Sequence, residues 1–408
     1  TSFFIWRIIY YMDNFKKLIE TSDYTNFLKK LDKNFIQNIV TFDLFYSNLD
    51  LLVNKYKKNI FKIINKISEV DNSYINKKVL TLMPYYLDGK LNSDYIFIIR
   101  KIDLNDVFKY IIDNKLIFKT NNFIKDIINS KGKNQTIIDN LDYIINNSVK
   151  ILELKNILKE YNVTDNFIKK LDCVIDTNPD KIILELVSIN NLTLKDLEQE
   201  KILDTLRIIL KELKNYFSLD YHDIKYLGRG GFSNVILIGD KVLKVGKKRK
   251  CFFIKDNKRF LKPIYRQEIK CINNDSVLIC IEITQQVDTI NIDGFDLFNI
   301  YKELRDQHLI WTDCRLDNIG RLLHDNKIYY NDINKTNINA TGYSSCQDEI
   351  LKKGDIVIID NDFIYTEKEF QESFNNNKTL QENIKSCEWI SDLEYQYQYD
   401  KLKNRNKR

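Results

Sequence analysis

Apolar residues recur at helical spacing along 45–64, where Phe45, Leu49, Leu52, Tyr56, Ile60 and Ile63 fall on one stripe. A second stripe, Leu203, Leu206, Leu210, Leu213 and Phe217, runs through 194–217, and Thr193 followed by Asp196 reads as its capping box. This texture holds from about residue 13 and predicts an all-α N-terminal domain over 1–217, with no fixed repeat of the solenoid kind and no visible chemistry. Near residue 218 the period shortens. Runs of β type cover Val235–Ile238, Lys241–Val245, Arg259–Ile264 and Val277–Ile283, and Gly239-Asp240 between the first two is a hairpin signal. A helix is expected at about 295–306, an apolar strand at Ile356–Ile359, and helix through much of the last forty residues before the charged end KLKNRNKR. The fold class is therefore α+β, with the all-α domain 1–217 followed by a mixed domain, 218–408. The Asn-, Thr- and Ser-rich segment 325–354 reads as a long loop inserted in the second domain.

Composition narrows the classes. Hydrophobic residues make up 44% and aromatic residues 12%, enough to build cores that offset the entropy of ordering the chain. Ile, Asn and Lys are over-used, as an AT-rich coding sequence would impose. The 63 basic against 57 acidic residues leave +6, too slight and too dispersed for a general nucleic-acid binder. Seven cysteines without a C-x-x-C pair give neither a disulfide framework nor a zinc site, so a reducing compartment, the cytoplasm, is expected. The opening TSFFIWRIIYYM is apolar but falls short of the roughly 20 residues a membrane span needs. It reads as a buried or frayed first helix, with a peripheral anchor as the alternative. Met12 would itself serve as a start, which leaves open whether residues 1–11 belong to the native protein.

Glycine is scarce, 11 in the chain, yet three stand within four positions at Gly228, Gly230 and Gly231. The stretch Gly228-Arg229-Gly230-Gly231-Phe232-Ser233-Asn234-Val235 follows G-x-G-x-x-G-x-V with Ser233 at the third glycine and Val235 in register. Small residues at the tip of a β ribbon let backbone N–H groups approach phosphate oxygens. Lys244 lies on the returning strand. In LIWTDCRLDNIG, 309–320, Asp313 and Asn318 stand in D-x-x-x-x-N spacing with Arg315 between them. A carboxylate beside an attacking hydroxyl, an oxygen ligand for a metal and a cation for negative charge are what phosphoryl transfer needs. The strand IVIIDNDFIY ends in Asp360, the favoured metal carboxylate, with Asp362 before Phe363 as the alternative.

These four elements, in this order, resemble the protein-kinase-like superfamily over roughly 220–370, closest to its small bacterial and aminoglycoside-phosphotransferase-like members. The resemblance implies a two-lobed domain with ATP and Mg²⁺ between a β-rich lobe and a reduced helical lobe. It makes Gly228, Gly230, Gly231 and Ser233 the phosphate-covering loop and Lys244 the partner of the α- and β-phosphates. It makes Asp313 the catalytic base, Arg315 the cation on the γ-phosphate, and Asn318 with Asp360 or Asp362 the metal ligands. Adenine is expected against backbone near Glu282–Thr284. The implied activity is transfer of the γ-phosphate to a hydroxyl of a protein, as a serine/threonine kinase does. A small-molecule acceptor and an inactive scaffold remain open, and the N-terminal domain is a candidate protein-binding module.

The chain departs from the family in four ways. No glutamate is assigned to Lys244, Glu268 being the nearest candidate, and Trp311-Thr312 replaces the usual His-Arg. The 325–354 insertion separates Asn318 from Asp360, and little chain follows Asp362 for a full helical lobe. The basic run 247–250 reads as a solvated turn, His308 as a helix end and Cys314 as a buried thiol.

Overall fold

The computed structural model describes residues 2–56, 59–71, 74, 78–91, 95, 99, 102–129, 134–161, 165–190, 192, 197, 201–230, 232–247, 259–261, 264–270, 277–325, 352–359, 364–376 and 392–397. The chain is mixed α+β, helical in its N-terminal region, with an antiparallel sheet in its C-terminal part. It divides into two compact units, Thr1–Glu185 and Leu186–Arg408, so the division falls before the expected residue 217. The reason lies in tertiary contacts. Asn234, on a strand of the second unit, donates to the Leu186 carbonyl at 2.9 Å, and Lys241 lies over the Phe217 ring at 5.6 Å.

The first unit is a stack of short helices, and the expected continuous stripe over 45–64 is broken into Leu44–Ser47, Leu49–Tyr56 and Ile60–Ser68. A period absent from the residue pattern is present in the helices. One set begins at Asn122, Ile151 and Asp180, the other at Leu104, Asn134 and Asp165, a spacing of roughly 30 residues. The connecting segments stack in the same rhythm. Phe118 forms a parallel bridge with Ser148, the Val149 amide donates to the Phe118 carbonyl at 3.0 Å, and the Lys119 amide donates to Leu87 at 3.1 Å. The expectation of no repeat is corrected: stacking requires only that equivalent positions be apolar, which leaves little sequence identity to see.

Glu185 closes this unit. Its carboxyl is buried and accepts the Leu152 and Glu153 amides at 2.6 and 3.0 Å, at the start of helix Ile151–Glu160. Burial pushes it up to about 8, against the opposing pull of those amides. A carboxyl raised in the folded state holds its proton where the unfolded chain has lost it. The stability this group contributes is therefore fully present below the ordinary carboxylate range and is lost as pH rises towards about 8. The melting temperature of Glu185→Gln, followed from pH 5 to 9, should lose this component of the wild-type decline; an unchanged slope would exclude it.

In the second unit five strands form an antiparallel sheet in the order β1-β2-β3-β5-β4: β1 Lys225–Arg229, β2 Ser233–Ile238, β3 Lys241–Gly246, β4 Tyr265–Lys270 and β5 Val277–Gln285. Gly239-Asp240 makes the expected two-residue turn, with Ile238 opposite Lys241. The strand expected at Arg259–Ile264 is displaced. Tyr265–Lys270 pairs with β5, while Phe260 bridges Ile358. Residues directly opposite one another share a face. One face carries Ile236, Leu243, Ile283 and Tyr265, all buried, and β2 is contacted by helix Ile202–Phe217. The other carries Val235, Lys244, Glu282 and Arg266 in one row.

After β5 come β6 (Val287–Asp288), helix Gly294–Asp306, β7 (Leu309–Trp311), β8 (Ile319–Leu322), β9 (Ile356–Ile358), β10 (Ile364–Thr366) and helix Glu367–Asn376. Asp293 and Asp296 form a capping box at the start of the first of these helices. β6, β8 and β9 make one small sheet, β10 and β7 another. Trp311, Leu304, Tyr301, Ile319 and Ile358 pack into a core with Tyr397 from helical residues 392–397. The insertion over 326–351, the capping box Thr193/Asp196, basic residues 248–250 and KLKNRNKR lie outside the described residues. No described helix is long and apolar enough to cross a membrane.

Candidate functional site

The glycine-rich stretch turns the chain from β1 into β2. The register slips between Tyr226 and Gly228, a bulge that leaves Gly228 opposite Val235. Gly228 adopts φ 150°, a region open to glycine and disfavoured for other residues. The Gly230 amide donates to the Ser233 carbonyl at 2.9 Å and closes the turn. Ser233 is buried at the start of β2 opposite Gly246, so its side chain belongs to the ribbon and the exposed tip comprises Gly230 and Phe232. Gly231 lies outside the described residues.

Lys244 projects from the polar face of β3, and its ammonium donates to the Ile359 carbonyl at 2.8 Å. Ile359 is the residue before Asp360. Asp360, Asp362 and Phe363 lie outside the described residues. The Ile359 amide in turn donates to the Asn318 carbonyl at 2.9 Å, an extension of the β8–β9 pairing in which Ile319 faces Ile358.

Asn318 ends a single 3₁₀ turn, Leu316–Asn318, that closes the loop after β7. Its side-chain amide donates to Asp313 twice, to Oδ2 and to the main-chain carbonyl, both at 2.8 Å. Arg315 Nε meets Asp313 Oδ1 at 2.9 Å and Asp317 at 3.6 Å. Both Asp313 oxygens are thereby oriented. Lys244, Ile359, Asn318, Asp313 and Arg315 thus form one continuous chain of polar contacts. Because Asn318 commits its nitrogen to Asp313, its Oδ1 remains as a hard oxygen donor, the kind Mg²⁺ takes.

Cys314, beside the carboxylate, is buried in the core, and burial with the Asp313 charge holds its thiol protonated. Trp311, in the place of the usual histidine, is a core residue. His308 is exposed, at φ 60° just past the helix end, with Glu367 at 3.7 Å.

Two expectations change. Glu282 and Thr284 do not offer free backbone for adenine. They lie within β5, opposite Lys244 and Val242, and the Ile283 carbonyl accepts the Ile264 amide at 2.7 Å. Glu268 is not beside Lys244. It faces Cys280 across the sheet and pairs with Arg266 at 3.0 Å. Arg266 and Gly246 were not legible as site residues. The alternation in YRQEIK, with Arg266 and Glu268 on one face, is the signal that would have set β4 correctly. No family model, curated protein or solved structure matches the chain.

Proposed function

We propose that residues 220–370 form a two-lobed, kinase-like phosphotransferase domain that binds ATP with Mg²⁺ and transfers the γ-phosphoryl group to a hydroxyl. The observation that carries this reading is the continuous polar chain from Lys244 through Ile359 and Asn318 to Asp313. It brings together residues separated by up to 115 positions in the sequence, in the combination that phosphoryl transfer uses. The glycine-rich turn between β1 and β2 and the polar sheet face beside Lys244 support it.

In this reading the backbone of the turn covers the phosphates and the Lys244 ammonium offsets their charge. Asn318 Oδ1, with Asp360 or Asp362, would hold Mg²⁺, which supplies charge neutralisation on the phosphates. Asp313 orients the acceptor hydroxyl and receives its proton. The hydroxyl oxygen bonds to the γ-phosphorus as the bond from that phosphorus to the bridging oxygen breaks, and ADP leaves with the electron pair. Arg315 holds Asp313 in place and lies where charge develops on the γ-phosphoryl group.

Incubation with γ-labelled ATP and Mg²⁺ against panels of Ser/Thr peptides and amino-alcohols tests the reading. Label in peptides supports a protein kinase, and label in amino-alcohols a small-molecule kinase. Nucleotide binding without transfer to either would move the chain to the scaffold class.

A further inference from the structure

The polar row across the sheet contains more charge than a strand face needs. The strand register sets Glu282 directly opposite Lys244 on one side and Arg266 on the other. Directly opposed residues have Cβ atoms about 4.5–5.5 Å apart. Arg266 donates to Glu282 Oε1 at 2.6 Å and to Glu268 Oε1 at 3.0 Å, and the Arg266 and Glu282 side chains are only 7% and 13% exposed. Removing these charges from water is costly, and their attraction offsets the cost only in good geometry. The parallel row on the opposite face, Leu243, Ile283 and Tyr265, is built instead from buried apolar and aromatic side chains. The row also has a direction: at its β3 end is Lys244, whose ammonium reaches the end of β9.

We propose that Glu282 is the positioning residue for Lys244 and that Arg266 fixes Glu282, an inference that rests on the nucleotide-binding reading above. Glu282 stands between two cations. Arg266 anchors its carboxylate from the β4 side, and the carboxylate attracts the Lys244 ammonium from the β5 side. Without Glu282 the two cations face each other across one strand, and Lys244 is driven from the position in which it would meet phosphate. The charged groups of the row, Lys244, Glu282, Arg266 and Glu268, then no longer balance.

The test is equilibrium binding of ATP, ADP and adenosine to the full chain. Adenosine has no phosphate, so a residue that acts through Lys244 leaves its affinity untouched, whereas general damage to the sheet does not. Glu282→Gln should weaken ATP and ADP about tenfold with adenosine unchanged, and Glu282→Asp should recover most of the loss. In a Lys244→Ala background, Glu282→Gln should cost nothing more, because the residue it positions is gone. ATP affinity within about twofold of wild type in Glu282→Gln, or additive losses in the pair, would overturn the proposal. Should Glu282→Gln fail to fold with Arg266 unpaired, the double variant Arg266→Met with Glu282→Gln removes both buried charges. It should fold and still bind ATP weakly; wild-type affinity there would also overturn the proposal. If Lys244→Ala alone leaves ATP binding intact, the nucleotide reading itself fails, an outcome distinct from the others.

Discussion

Asp313→Asn should leave ATP affinity within about twofold of wild type and lower the rate of γ-phosphoryl transfer by about a thousandfold. The amide has the shape of the carboxylate, and its one oxygen can still accept from Asn318 or from Arg315, whose contacts with Asp313 are at 2.8 and 2.9 Å. What it lacks is the basic oxygen that takes the acceptor proton. The lost ion pair with Arg315 is half exposed on the arginine side and is worth at most about 1 kcal/mol, so folding should be little affected. Single-turnover transfer from γ-labelled ATP, measured beside an ATP titration and a thermal melt, separates these effects. Equal transfer rates in the variant and wild type would remove Asp313 from the chemistry.

Gly246→Ala should destabilise the second unit by about 3 kcal/mol, a size characteristic of overpacking. A Cβ at this position would lie 1.9 Å from the Phe232 carbonyl oxygen and 2.6 Å from the Ser233 Cα. Both are backbone atoms of the glycine-rich ribbon and cannot rotate away. The Lys247 amide donates to the same Phe232 carbonyl at 2.8 Å, so the clash would break the bond that closes the ribbon onto β3. Gly228→Ala makes the useful contrast: nothing lies within 4 Å of its added carbon, so only the cost of its φ of 150° remains, about 1–2 kcal/mol. Urea unfolding of the two variants should rank them in that order. A Gly246→Ala midpoint equal to wild type would show that the ribbon does not pack on β3 as described.

Much of this arrangement is visible in the residue order, and the losses have identifiable causes. The β2–β3 hairpin is legible because Gly239-Asp240 fixes the turn and the apolar residues on either side fix the face. The Asp313-to-Asn318 loop is legible because its spacing is local, five residues closed by one side-chain amide. β4 is missed because the apolar run near Phe260 and Leu261 outweighs the charged alternation that follows. Those two side chains instead enter separate clusters around β9, Phe260 beside Ile358 and Leu261 beside Val357. That slip hides Arg266 and with it the neighbours of Lys244. The division at Glu185 is invisible for a similar reason. Helix Ile202–Phe217 has the same stripe as those before it, and its tertiary contacts with β2 and with Lys241 of β3 go with its place in the second unit.

The most direct measurement is the thermal shift of the chain with ATP, with and without Mg²⁺, for wild type, Lys244→Ala and Asn318→Ala. A ligand that binds only the folded state raises apparent stability, by about 2.7 kcal/mol at a hundredfold excess over its dissociation constant. The expected result is a rise with ATP that grows with Mg²⁺, loses its Mg²⁺ dependence in Asn318→Ala and is much reduced in Lys244→Ala. No shift of the wild type at millimolar ATP with Mg²⁺ would contradict a nucleotide site at Lys244, Asp313 and Asn318.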